Sequence, residues 1–207
     1  MSYLSNLVKV VHNVVNPARK QEWSSDTSRN KVLLIGDDLL DDFLVNAVDL
    51  TEQLNAKLEL TCFNCAVRGT NMTSLITNEK PSLYTRLCRD YEYPNCEDFD
   101  VLGWADRAHW VVYGVGMNER RDIPIELLEK QFRMVLGKIV DKNKQCIVVI
   151  DKEWNEWVTM VQKVCDESMV DVLYKTPEVA DQIFQITKDR KKPFRIPKEV
   201  LELPSLE

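Results

Sequence analysis

The sequence predicts an α/β fold: a three-layer sandwich with a five-stranded parallel sheet between two layers of helices. Three observations predict it. Five short runs of branched apolar residues are spread along the chain, stretches with helical apolar period separate them, and no Pro/Gly/Ser-rich joint divides the 207 residues into two cores. Parallel neighbours require a crossover, nearly always a right-handed one built on a helix, so alternating strands and helices imply a parallel sheet covered on both faces.

The first fifteen residues place Leu4, Leu7, Val8, Val11, Val14 and Val15 at helical spacing, which predicts a docking helix; a polar link from about Arg19 to Asn30 follows. Lys31 to Gly36 reads as the first strand, a short apolar run stopped by glycine. One helix is then expected to carry Leu39, Leu40, Phe43, Leu44, Ala47, Val48 and Leu54 near one face. Lys57 to Phe63 is the second strand, and the long connection to about Phe99 holds a helix near Ser82 to Arg89. The remaining strands are expected at His109 to Val115, Cys146 to Ile150 and Met169 to Tyr174. Between them lie helices marked by Leu127, Leu128, Phe132, Val135, Leu136 and Ile139, and by Trp154, Trp157, Val158, Val161, Val164 and Cys165; a last helix runs from about Pro177 to Thr187. The expected organisation is an arm and linker over 1–30, an α/β domain over 31–187 and a basic tail over 188–207.

Composition narrows the class. With 44% hydrophobic and 29% charged residues the chain fits a globular protein, not a collagenous or disordered one. The longest uncharged apolar run, Trp110 to Met117, is strand-sized, so no membrane association is expected, and the N-terminus lacks the pattern of a signal peptide. Six cysteines without such a signal point to free thiols in a reducing compartment, cytosolic or nuclear, with the cytoplasm expected. Cys62-x-x-Cys65 is half a zinc pattern, but the spacing between Cys88 and Cys96 is too wide for a usual knuckle, so neither metal nor cofactor is expected.

In parallel sheets ligands bind beyond the carboxyl ends of the strands, which singles out three loops. They are Gly36-Asp37-Asp38-Leu39, Asn64-Cys65-Ala66-Val67-Arg68-Gly69 and Gly114-Val115-Gly116-Met117-Asn118-Glu119. In order and spacing these blocks resemble those of the SGNH, or GDSL-like, hydrolase family, and the resemblance implies its sheet of flavodoxin-like order. It also implies a site built from the three loops: a serine after Gly-Asp, oxyanion donors from the Gly and Asn blocks, and a late Asp-x-x-His. Here Asp38 stands at the serine position, Gly69 and Asn118 stand at the oxyanion positions, and the nearest late match, Asp171 to Tyr174, ends in tyrosine. A carboxylate cannot replace an imidazole-activated hydroxyl in acyl transfer, so a pseudoenzyme without catalytic residues is expected. Asp37, Asp38, Asp41 and Asp42 have the hard oxygens a divalent cation takes, but acids at a helix start also serve as caps.

Charge is uneven. Lys188 to Lys198 carries +5 of a net −6, leaving −11 on the remainder. Lys188, Arg190, Lys191, Lys192, Arg195 and Lys198, with Phe194 between them, suit contacts to phosphates and a stacked base. Arg68, Arg120 and Arg121 in the loops add to this candidate RNA interface, and binding is expected to concentrate on the tail and these nearby loops. An SGNH-like chain without serine or late histidine, with a helical arm and a basic tail, resembles the OSK-domain family of insect germ-plasm proteins. That resemblance implies binding of single-stranded regions of mRNA and protein partners in cytoplasmic ribonucleoprotein granules. The alternative is a divergent hydrolase using Asp37 and Asp38 with water or a metal.

Overall fold

A computed structural model describes residues 29–41, 44–45, 48–72, 82–88, 107–115, 123–141, 145–153 and 155–189. The elements are β1 (Asn30–Gly36), α1 (Asp38–Asp41), β2 (Leu44–Val45), β3 (Val48–Asp49), α2 (Leu50–Asn55), β4 (Leu60–Asn64), α3 (Leu83–Cys88), β5 (Trp110–Val115), α4 (Ile125–Asp141), β6 (Gln145–Ile150), α5 (Asn155–Glu167), β7 (Asp171–Tyr174) and α6 (Val179–Asp189). Five strands form one parallel sheet in the order β4-β1-β5-β6-β7. Numbered within the sheet this is 2-1-3-4-5, the flavodoxin-like order the resemblance implied.

Alternation along each strand divides the core into two layers. Leu33, Ile35, Val111, Tyr113, Val148 and Ile150 face α3, α4 and α5, where Phe132 stacks on Tyr113 at 5.8 Å. Val32, Leu34, Trp110, Val112, Ile147 and Val149 face α1, α2 and α6 through Leu40, Leu54, Val179 and Ile183. Central strands buried on both faces read as continuous apolar runs, which is why they were visible in the sequence.

The single helix expected after the first strand is not formed. Leu44 pairs with Asp49 and Val45 with Val48 in a short antiparallel ladder between two brief helices. The second of these starts anew because Asp49, extended at φ −63° and ψ 141°, accepts a hydrogen bond from the Thr51 amide at 2.7 Å. Two strands also begin two or more residues later than expected. Lys57 to Glu59 form a turn closed by the Leu60 amide on the Lys57 carbonyl, with Leu58 82% exposed. Before β7, α5 ends in a Schellman closure, Val170 N–H to Cys165 O and Met169 N–H to Asp166 O, with Met169 left-handed at φ 53°. Among the described residues no helix is long and apolar enough to cross a membrane. The expected N-terminal helix lies outside the described residues.

Candidate functional site

The carboxyl edge of the sheet gathers the first two of the three loops. Gly36 ends β1 at φ 136° and is the cross-strand partner of Gly114; a Cβ on Gly36 would lie 2.2 Å from the Gly114 carbonyl oxygen. The backbones therefore approach closely where the chain turns into Asp37 and Asp38. Asp37 is buried, and its carboxylate accepts from the Leu39 amide at 3.0 Å, the capping role expected of an acid at a helix start. Asp38 is the first residue of α1.

The loop after β4 folds over this turn. Val67 N–H donates to Gly36 O at 3.1 Å, and Asn64 spans the gap by donating to Leu40 O at 2.9 Å while accepting from Ala66 N–H at 2.8 Å. Gly69 lies at the turn of this loop at φ 76°. Underneath sits Arg86, 0% exposed, whose guanidinium donates to Cys65 O at 2.9 Å, Gly36 O at 3.1 Å and Thr70 Oγ1 at 3.3 Å. Arg86 is an internal brace joining the two loops. The signal available was its position in a short helix with apolar Leu83 and Leu87 on either side, which marks a buried face.

Between these loops and β5 is a depression of about 180 Å³, partly open to solvent, lined by Gly36, Asp37, Asn71, Met72, Tyr113 and Val115 among others. Much of that space is open solvent, and the described residues enclose only about 10 Å³, room for a water molecule and far below a typical small-molecule site. The one described histidine, His109, is at the other end of its strand, where its Nδ1 accepts from the Lys31 amide at 3.2 Å. Asp171 to Tyr174 is β7 itself, so the late block is strand. Asn118, Arg120 and Arg121 lie outside the described residues, as do Asp42, Cys96, Arg190, Lys191, Lys192, Phe194, Arg195 and Lys198.

Cys62 and Cys65 are buried in different core layers, Cys62 against the α2 and α6 side and Cys65 against the α3 side. Burial pushes the thiols of Cys62, Cys146 and Cys165 upward, which keeps them protonated. Among the described residues no three or more His, Cys, Asp or Glu come together as metal ligands.

The structure separates two parts of the expected RNA interface. Arg68 is exposed on the carboxyl edge. Lys188 is in α6, whose last turn lies at the amino edge: Asn30 Nδ2 donates to Thr187 O at 3.2 Å, and Lys188 Nζ lies 3.8 Å from Glu59. A helix that follows a parallel strand must run back along the sheet, so the tail begins on the edge opposite Arg68. Of the residues expected to neighbour one another, Arg68 and Lys188 therefore lie at opposite edges, while Arg120, Arg121 and the tail from Arg190 lie outside the described residues.

No family model and no curated protein matches the chain. Solved structures do. A carbohydrate esterase family 2 enzyme with a carbohydrate-binding domain from Corynascus thermopiles (Myceliophthora fergusii) is 11% identical over 81% of this chain and 68% of that one, with a TM-score of 0.57. A carbohydrate esterase whose active site is described as having divergent catalytic and non-catalytic binding functions is 13% identical over 83% and 68%, TM-score 0.55. A family two carbohydrate esterase from Cellvibrio japonicus is 10% identical over 78% and 62%, TM-score 0.51. At these identities the likeness is one of fold, and the fold is that of an SGNH-type hydrolase.

Proposed function

We propose that this chain is a non-enzymatic RNA-binding and scaffolding module on a degenerate SGNH-like fold, of the kind represented by the OSK domain of insect Oskar, acting in cytoplasmic ribonucleoprotein assembly. The observation that carries the reading is Asp38 at the position where a hydrolase of this fold has its serine. Supporting it, Asp37 is engaged with the Leu39 amide, and His109 sits at the amino edge. A neighbour whose active site has non-catalytic binding functions is a precedent for binding without turnover on this fold.

The chain is expected to hydrolyse neither short acyl esters nor acetylated sugars above background, and Asp38→Ser alone should not create activity, because no base is supplied with it. Turnover that disappears in Asp38→Ala would favour the divergent hydrolase instead. For the binding half of the reading, neutralising Arg190, Lys191, Lys192 and Arg195 together should weaken binding of single-stranded RNA irrespective of sequence. Each lost phosphate contact should reduce the slope of log K against log salt by roughly 0.7. An unchanged affinity and slope would show the tail to be a solvated terminus.

A further inference from the structure

We propose that two copies of this chain join edge to edge through β7, across a two-fold axis at Leu173, so that two five-stranded sheets become one. The inference stands apart from the RNA-binding reading. Its basis is that the chain closes one edge of its sheet with its own groups and leaves the other open in a pattern that complements itself.

β4 and β7 are the outer strands. Along β4 the backbones of alternate residues point away from β1, and other parts of the chain occupy them. The Leu60 amide donates to the Lys57 carbonyl, and Asn55 meets Cys62 as a neighbouring strand would, donating from Nδ2 to Cys62 O at 3.0 Å and accepting from Cys62 N–H at 2.7 Å. A side chain in that position blocks the addition of another strand. Among the described residues nothing equivalent stands at β7. Lys175 N–H donates to Ile150 O at 3.0 Å, which fixes Asp171, Leu173 and Lys175 as the residues whose backbones face β6, so the backbones of Val172 and Tyr174 face outward. Their two amides and two carbonyls have no partner among the described residues.

An antiparallel second copy satisfies all of these groups in one register. With the axis at Leu173, Val172 of each copy lies opposite Tyr174 of the other as a hydrogen-bonded pair, which uses every open amide and carbonyl. The two Leu173 side chains meet on the axis in the closer, non-hydrogen-bonded pairing, and Asp171 comes opposite Lys175, so the ladder is flanked by charges of opposite sign. Apolar side chains gain cover at the same time. Val172 and Tyr174 pack against one core layer and Leu173 against the other, yet all three are only partly buried. On the Leu173 face α6 packs against α2, where Asp181 pairs with Lys57, and so lies back from the edge. Because β4 is blocked, the pairing closes at two copies and does not grow into a fibre.

The test is sedimentation equilibrium of the full chain from about 5 to about 500 µM, a range suited to a small edge interface. The unmodified chain should pass from monomer to dimer, and the Val172 and Tyr174 amides should exchange with deuterium more slowly as the dimer fills. Leu173→Lys and Leu173→Glu, each checked for unchanged circular dichroism, should stay monomeric alone, because like charges then face each other on the axis; mixed in equal amounts they should pair again. Val172→Pro removes one outward donor and leaves the donors of the β6 ladder in place, and it should abolish the dimer by itself. A chain that is monomeric throughout, a dimer that both Leu173 variants retain, or two variants that stay apart when mixed would each overturn the proposal. Should a variant not fold, the unmodified chain decides: Val172 and Tyr174 amides that exchange equally fast at both ends of the concentration range would overturn it as well.

Discussion

Truncating Arg86 to alanine is expected to destabilise the protein by about 3–5 kcal/mol, from ~1–3 kcal/mol for each buried acceptor left without its donor together with the cavity that opens. The side chain is 0% exposed and its guanidinium serves three oxygens, two of them main-chain carbonyls on the first two loops. Removing it leaves the carbonyls of Gly36 and Cys65 and the Thr70 hydroxyl short of a donor and opens a cavity between α3 and the sheet, so both contributions act in the same direction. The unfolding midpoint should fall by about 6–20 °C, since 1 kcal/mol corresponds to roughly 2–4 °C in a domain of this size. Arg86→Met fills much of the volume without donating, and it separates the two causes: if it recovers full stability, desolvation of the guanidinium outweighs its bonds. The Val67 amide, bonded to Gly36 O, should exchange faster in Arg86→Ala than amides in the centre of β5. A loss below 1 kcal/mol would mean that the brace has no energetic role.

Gly36→Ala is the second large effect. Its new methyl group would lie 2.2 Å from the Gly114 carbonyl oxygen, a contact with rigid backbone in the centre of the sheet, at a φ of 136° that residues with a Cβ rarely adopt. We expect a loss of about 3–5 kcal/mol or failure to fold, from overpacking and strain together. Gly69→Ala is the internal comparison. It also has positive φ, but open space surrounds its Cβ position, so only the conformational cost of about 1–2 kcal/mol applies. Comparable losses for the two, read from urea unfolding midpoints, would contradict the close approach of β1 and β5 at the turn.

The parts of this fold that were legible in the sequence are those where one physical cause dominates. The central strands, buried on both faces, had to be continuous apolar runs, and they were visible together with the two half-buried edge strands. The stretch from Leu39 to Leu54 misled because its apolar spacing fits a helix, whereas Asp49 caps a new helix and Leu44 to Asp49 pair as strands; periodicity over so few turns does not separate the two. Leu58 extended the expected second strand because hydrophobicity was read without exposure. At the site, the turn at Gly36 and the capping role of Asp37 followed from residue type and position. Arg86 did not, because the one local sign, the apolar Leu83 and Leu87 of its short helix, is outweighed by the rule that charged residues stay exposed. Where the last helix ends was deducible: a helix that follows a parallel strand must finish at the amino edge, and Lys188 is found there.

The central claim is that an SGNH-like fold here serves as an RNA-binding scaffold in place of a hydrolase. Ultraviolet crosslinking of the intact chain to single-stranded RNA, with mapping of the attached peptides, tests it most directly. The account predicts attachment, concentrated within 188–198. Absence of crosslinks would contradict it.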